Sequence, residues 1–503
     1  MIPSDEQDAI LEYRLDKPDT SFQVRAGAGC AKTTTLLLLA CRDKRKTVYL
    51  SYNRSARQSA ARMFPKHVDC ATTHMLAYRC MKMWEQQNRL DGSKVTGLDI
   101  AELFSIPVMD QFKPSLWGQW TIDTVNAFCH SAELDIGPQH LTLPPRSERG
   151  NDVLGWAKRL WQKIADPKDP LPIGHDHYLK QWQLSHPQLP ADIQLIDLDE
   201  AQDTNPVTMA ILQALALPTI YVGDPHQSLY GYRGAVNVLE TLDLPAMPLR
   251  VSYRFGQTVA DIANTILAYH SRPPELPLRG NLGIESRIVD ALPEGERHMI
   301  VCRTNAGILE EAIGSSGKIH VVGGARENAL EKLVQLLTAS WDLYQGTPAP
   351  HIRELCGFRD YKTLVEHAIE SRDIELTLLV KLVDQYSQKI PDIARDLLQR
   401  SVRTEDQANT VLGTAHRLKG READYVKLAN DFPDWNKLFA TDKNGKPLRR
   451  RRDIDAELNA LYVAGTRAKL SLVKNDAIAS LEQPPSFQSL IASNDTRPVA
   501  VSA

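Results

Sequence analysis

Ala26-Gly27-Ala28-Gly29-Cys30-Ala31-Lys32-Thr33 is a run of small residues that ends in Lys-Thr. Small residues let backbone N–H groups close around phosphate oxygens, and a helix N-terminus behind them favours the anion. In such a loop Lys32 reaches the β/γ-phosphates and the Thr33 hydroxyl ligates Mg²⁺. Phe22-Gln23-Val24 reads as a short strand before the loop, and Thr34 to Ala40 as the start of a buried helix after it. Ala31 stands where a Gly ordinarily precedes the Lys. The same run would also serve as a tight turn before a core helix, so the rest of the chain has to decide.

A second run supplies carboxylates. Leu195-Ile196-Asp197-Leu198-Asp199-Glu200-Ala201-Gln202-Asp203 is an apolar strand ending in acids. Beside a phosphate loop, Asp199 would hold the metal, directly or through water, and Glu200 would orient or deprotonate an attacking water. The alternative is an acidic helix start favoured by the dipole. A third run, Val222-Gly223-Asp224-Pro225-His226-Gln227-Ser228-Leu229-Tyr230-Gly231-Tyr232-Arg233-Gly234-Ala235, follows another apolar stretch. Gln227 is placed to hydrogen-bond a γ-phosphate, and Tyr232 to stack on a base, a contact worth roughly 1–3 kcal/mol. By itself this run reads rather as a Gly-rich loop with core tyrosines.

The elements that must position these groups follow from short apolar runs, the mark of parallel strands. Such runs occur at Val48 to Ser51, Ile193 to Asp197 and Thr219 to Val222, with an Arg-bearing helix from Ser55 to Met63. Between about 79 and 189 the chain reads as mostly helical and Trp-rich. A second α/β pattern has strands at Met299 to Cys302, Ile319 to Val322, Val411 to Thr414 and Leu470 to Leu472, interrupted by a charged helical block. Trp117, Trp120, Trp156, Trp161 and Trp182 of the first block suit a core better than a base platform. Arg449-Arg450-Arg451-Arg452 reads as a solvated loop, or as an arm on phosphates that salt would weaken.

A chain of 503 residues implies about two to four domains. Its 43% hydrophobic and 24% charged content is that of a soluble globular protein. Seven scattered cysteines contain no CxxC pair, which argues against a zinc ribbon or disulfide scaffold and fits a reducing cytosol. The polar, acidic start is no signal peptide, and no apolar run spans a bilayer. A net charge of −3 neither suggests nor excludes nucleic acid.

Taken in order, these runs resemble the motifs of the UvrD/Rep-like superfamily 1 helicases. Gln7 stands where that family reads adenine. Ser51-Tyr52-Asn53 and Thr72-Thr73-His74-Met75-Leu76-Ala77-Tyr78-Arg79 resemble its single-strand-contacting motifs, and Asp199 to Asp203 its Walker B motif. Gly223 to Ala235 resembles the motif that couples γ-phosphate sensing to base stacking. Leu249-Arg250-Val251-Ser252-Tyr253-Arg254-Phe255 resembles motif IV, Thr414 to Glu422 motif V, and Glu457 to Lys469 motif VI with its arginine finger. The ordered set covers about residues 7 to 469. His175-Asp176-His177-Tyr178-Leu179-Lys180-Gln181-Trp182 and Asn430-Asp431-Phe432-Pro433 look like the F-box DNA helicase branch. No F-box is seen before the motor, as in the bare motors of microbes and phages.

The resemblance implies an α/β fold of two RecA-like P-loop NTPase domains, each with a mostly helical insertion. The expected boundaries are 1–78 and 190–255 for the first domain, and 79–189 for its insertion. The second domain is expected at 256–326 and 405–482, its short insertion at 327–404, and a flexible tail at 483–503. It implies ATP between the domains with Mg²⁺ on Thr33 and Asp199. Catalysis would fall to Lys32, Asp199, Glu200, Gln227, Arg254 and Arg467. Nucleotide would be held by Gln7, Gly27, Ala28, Gly29, Cys30, Ala31, Lys32, Thr33, Thr34 and Glu422. DNA contacts would come from Asn53, Thr73, His74, Tyr78, Tyr230, Tyr232, Arg233 and His416. The implied activity is 3′-to-5′ movement on single-stranded DNA with unwinding at duplex junctions. The alternative is a DNA-stimulated ATPase that remodels protein–DNA complexes. The implied location is the cytoplasm of a bacterium or phage host, or a nucleus in a eukaryote, with no membrane and with the protein partner unassigned.

Overall fold

The computed structural model describes residues 2–51, 54–90, 92, 94–109, 112–143, 149–229, 237–323, 329–347, 352, 355, 358–371 and 373–482. Asn53, Tyr230, Tyr232, Arg233 and the expected tail lie outside the described residues. Contacts divide the chain into two compact units: Met1–Gly27 with Ala31–Leu249, and Arg250–Ala503 with Ala28–Cys30.

The first unit is built on a six-stranded parallel sheet. Its strands are β1 (Phe22–Ala26), β2 (Thr47–Leu50), β3 (Val68–Ala71), β4 (Leu195–Leu198), β5 (Thr219–Gly223) and β6 (Ala246–Leu249), in the order β3-β2-β4-β5-β1-β6. Every residue of β2, β4 and β5 is buried, as expected of parallel strands covered on both faces. β6 lies at the edge, where the missing N–H of Pro248 is tolerated. Helices α1 (Asp5–Asp16), α2 (Lys32–Arg42), α3 (Arg54–Met63) and α4 (Thr73–Cys80) accompany the first three strands.

The helical block follows, with α5 (Gln87–Leu90), α6 (Gly97–Leu103), α7 (Pro114–His130), α8 (Gly150–Ala165) and α9 (His175–Leu184). Trp117 and Trp182 are fully buried there, and Trp120, Trp156 and Trp161 pack against the same core. The tryptophans are therefore structural, each burying a large apolar surface. The unit closes with α10 (Pro206–Leu215), capped by the Asn205 side chain on the Thr208 N–H, and α11 (Val238–Thr241).

The second unit repeats the design with strands β7 (Arg287–Ile288), β8 (His298–Cys302), β9 (Ile319–Val321), β10 (Thr410–Thr414), β11 (Ala423–Leu428) and β12 (Ala468–Val473). They form a second six-stranded parallel sheet in the order β7-β12-β11-β8-β10-β9. Its helices are α12 (Gln257–Leu267), α13 (Asn305–Gly314), the layer α14 (Ala329–Tyr344), α15 (Tyr361–Ser371), α16 (Ile374–Tyr386) and α17 (Ile390–Arg400), then α18 (Ala415–Leu418), α19 (Trp435–Leu438), α20 (Arg451–Gly465) and α21 (Asp476–Glu482). The fold class is thus α/β with two parallel sheets, each joined to a helical layer. The arginine run opens α20, where the helix dipole disfavours cations. Asp453 and Asp455 offset this through ion pairs with Arg450 and Arg451.

Candidate active site

Three neighbouring strands of the first sheet end on one side: β4, β5 and β1. Parallel pairing keeps their carboxyl ends together, so the loops after them converge. After β1 comes the small-residue loop and α2. No side chain caps α2, so its first N–H groups are left for an anion to satisfy. After β4 come Asp199 and Glu200, and after β5 comes Asp224.

The groups meet at hydrogen-bond distance. Thr33 Oγ1 donates to Asp199 Oδ2 at 2.9 Å, and the Tyr49 hydroxyl donates to the same oxygen at 2.6 Å. Lys32 Nζ lies 3.2 Å from Glu200 Oε1. The Glu200 N–H donates to Asp199 Oδ1 at 2.9 Å, and Gln202 Nε2 donates to Glu200 Oε2. Gln202 Oε1 accepts the Asp224 N–H at 3.1 Å, and Gln227 Nε2 donates to Asp224 Oδ2 at 2.7 Å. A chain of contacts therefore runs from Lys32 through Glu200, Gln202 and Asp224 to Gln227.

Two non-glycine residues here are held in the left-handed region: Ala31 at φ 55° and Glu200 at φ 55°. Such backbone costs of order 1–3 kcal/mol and persists where surrounding contacts fix it. Ala31 therefore adopts the conformation that glycine supplies more easily, which explains the usual Gly at this position. Gly29 is also left-handed, at φ 74°.

Electrostatics bind the cluster together. Burial alone would lower the Lys32 ammonium, but Glu200, Asp224 and Asp199 hold it above its usual value. Burial and the adjacent Glu200 charge push Asp199 up. Burial and Asp199 also raise the Tyr49 phenol, which keeps it a donor. A phosphate chain with a divalent cation would fit this balance: Lys32 would hold phosphate, and Thr33 and Asp199 would hold the cation. Thr33 and Asp199 offer hard oxygen donors close together, and Mg²⁺ is commonly held by one or two such groups plus phosphate oxygens.

The remaining expected residues are distributed as follows. Gln7 is buried, its Oε1 accepting the Ser4 N–H at 3.0 Å and its Nε2 donating to Thr35 Oγ1 at 3.0 Å. Thr34 lies in the first turn of α2. Thr73, His74 and Tyr78 lie on α4, and the Tyr78 hydroxyl donates to Gln87 Oε1 at 2.9 Å. In the second unit, Arg254 Nε donates to Glu422 Oε2 at 2.7 Å and Arg254 Nη1 to the Thr466 carbonyl at 3.0 Å. His416 lies on α18. Arg467 is fully buried, donating to the carbonyls of Val463 at 2.7 Å and Arg421 at 3.1 Å. Its guanidinium thus ties the end of α20 to the turn before β11. Tyr49, Gln202 and Asp224 had no role assigned from sequence. Only Asp224 carried a signal, since it follows β5 as Asp199 follows β4.

The UvrD/REP helicase N-terminal domain family matches residues 149–241, the segment that carries Asp199, Glu200 and Gln227. The chain is thus similar to the UvrD/Rep-like superfamily 1 helicases. It is 29% identical over 95% of its length to F-box DNA helicase 1 of Gallus gallus, covering 49% of that protein. It is 28% identical, again over 95% of its length, to F-box DNA helicase protein 1 of Schizosaccharomyces pombe, covering 58% of it. The chain thus spans about half the length of these curated relatives. That likeness accounts for two six-stranded parallel sheets in one chain. Among the described residues, no helix is long and apolar enough to cross a membrane.

Proposed function

We propose that this chain is an ATP-dependent DNA helicase that moves on single-stranded DNA, 3′-to-5′, and opens duplex junctions. The contact that carries the reading is Lys32 beside Glu200, with Thr33 on Asp199, at the ends of adjacent loops in a UvrD-like chain. Lys32 and the uncapped start of α2 bind the phosphates. Glu200 accepts the proton of the attacking water, and Gln227 hydrogen-bonds the γ-phosphate. Mg²⁺ on Thr33 and Asp199 would neutralise phosphate charge. Arg254, held within its own unit by Glu422 and the Thr466 carbonyl, is the arginine proposed to add positive charge in hydrolysis, with Arg467 shaping the segment it contacts. An arginine in that role is worth about 10³–10⁵ in rate.

A DNA-stimulated ATPase that remodels protein–DNA complexes is the second reading, favoured by the short second helical layer α14–α17. The test is ATP hydrolysis with and without single-stranded DNA, followed by strand displacement on duplexes with 3′ or 5′ tails. Stimulated hydrolysis with displacement from 3′ tails supports the helicase. Stimulated hydrolysis without displacement supports the remodeller. No hydrolysis at any DNA length overturns both.

A further inference from the structure

The segment His175 to Lys180 takes no part in the ATP site, yet it makes a built contact with the predicted DNA-contacting helix. Asp176, in the first turn of α9, accepts from two imidazoles at once. His74 Nε2 on α4 lies 2.9 Å from Asp176 Oδ1, and His130 Nε2, the last residue of α7, lies 3.2 Å from Asp176 Oδ2. All three side chains are partly exposed, by 35–44%. Among the described residues, nothing bonds to Nδ1 of either ring. One carboxylate thus fixes two rings by the same nitrogen and leaves the other nitrogen of each available.

We propose that Asp176 is a positioning residue that clamps His74 and His130 as a paired contact for the phosphate backbone of single-stranded DNA. The proposal rests on the DNA-translocating reading and adds His130 and Asp176 to it. With Nε2–H given to Asp176, a neutral ring presents only an acceptor at Nδ1, which phosphate repels. A protonated ring presents an Nδ1–H donor. Phosphate therefore selects the protonated rings, and binding is linked to proton uptake.

Other charged and titratable groups surround the pair. Burial would raise Asp176, but the hydrogen bonds from His130 and His74 bring it well below the usual carboxylate range, so it stays ionised. From α7, burial raises Cys129, which stays neutral. From α9, burial lowers His177 to about 4 and raises Tyr178 to about 12. Lys180, lowered by burial to about 8, loses charge at the top of the range. From α4, the Tyr78 ring faces Tyr178 at 6.2 Å, and Arg79 is paired with Asp69. Arg89 of α5 acts on His177. His175 is the remaining imidazole, its ring 6.4 Å from that of His74 and its Nδ1 3.0 Å from the Tyr178 hydroxyl.

The test is the affinity of the full chain for a labelled oligothymidylate, by anisotropy, between about pH 6 and 8 at fixed salt. The expected wild-type affinity falls about tenfold per pH unit for each linked imidazole at the upper end. H130Q is expected to weaken binding about tenfold at the acid end and to flatten the slope. D176N flattens it further, D176E restores part of it, and H175Q leaves it in place. Thermal melting of each variant establishes that it is folded. A wild-type slope in H130Q, a D176N variant that binds more weakly with an unchanged slope, or a slope abolished by H175Q overturns the clamp alone. Wild-type protein that binds no single strand overturns the helicase reading and the clamp with it.

Discussion

Lys32 Nζ sits 3.2 Å from Glu200 Oε1, so the base of the phosphate loop and the proposed general base neutralise each other. The pair lets two opposite charges occupy a crowded site before nucleotide arrives. In the proposed mechanism their roles are separate, Lys32 in binding and Glu200 in chemistry. Glu200→Gln keeps the shape and the Gln202 contact but cannot take a proton. Its DNA-stimulated turnover is expected to fall by about 10²–10⁴, with affinity for a fluorescent ATP analogue retained. Turnover within a few-fold of wild type would remove Glu200 from the chemistry.

Ala31 gives a second expectation. At φ 55° its methyl group opposes the conformation, while glycine would relieve that strain at a cost in unfolded-state entropy. The two terms nearly offset, so Ala31→Gly should change stability by less than about 1 kcal/mol and preserve DNA-stimulated ATPase activity. Ala31→Val puts a β-branched residue in the same place and should lose both folding stability and nucleotide binding. Melting temperature and steady-state ATPase, measured together on the two variants, decide this. Loss of turnover in a folded Ala31→Gly protein would mean that the methyl group itself shapes the loop.

Much of this arrangement was legible in the chain because it is local. The strand before each loop is a short apolar run, and the groups proposed to touch nucleotide follow within a few residues of β1, β4 and β5. Four strands escaped. β3 (Val-Asp-Cys-Ala) and β11 (Ala-Asp-Tyr-Val-Lys-Leu) interrupt their apolar runs with charge, β6 carries Pro248, and β7 has two residues. The Tyr49–Asp199 contact depends on β2 lying beside β4, which no local pattern encodes. Arg467 reads as a projecting finger from its position in the motif, which gives no hint that its guanidinium donates to the Val463 and Arg421 carbonyls and the Thr466 hydroxyl. Likewise, a histidine on α4 and one ending α7 meet only because α9 brings Asp176 between them.

Gly223 is fixed by space rather than by conformation. A Cβ there would lie 2.2 Å from Gln202 Oε1, 2.9 Å from Leu239 Cδ1 and 3.1 Å from the Ala201 nitrogen. Gln202 is fully buried and uses that same oxygen to hold the Asp224 N–H, so it cannot retreat without breaking the link between the ends of β4 and β5. Gly223→Ala should therefore lower stability by about 1–3 kcal/mol and reduce turnover more than nucleotide affinity. Denaturant unfolding combined with ATPase kinetics measures both. A variant with wild-type values in each would show that Gln202 is dispensable.

Asp197 supplies a pH dependence independent of any ligand. It lies on β4, is 1% exposed, and among the described residues its Oδ1 has no hydrogen-bond partner. Burial pushes its carboxyl up to about 7, more than Arg14 can offset. Folding therefore favours the protonated acid. Between the unfolded value near 3.8 and the folded value, the folded chain holds more protons than the unfolded one, so stability falls as pH rises through that window. From pH 5 to 8 the loss from this group is about 3 kcal/mol. Asp197→Asn does not titrate and preserves the size of the side chain. Its melting temperature relative to wild type should rise by roughly 5–10 °C from pH 5 to pH 8, read on the transition that melts the first unit. Wild type and variant that keep a constant difference across that range would show that the Asp197 carboxylate is compensated when ionised, and the buried acid would then carry no pH dependence of folding.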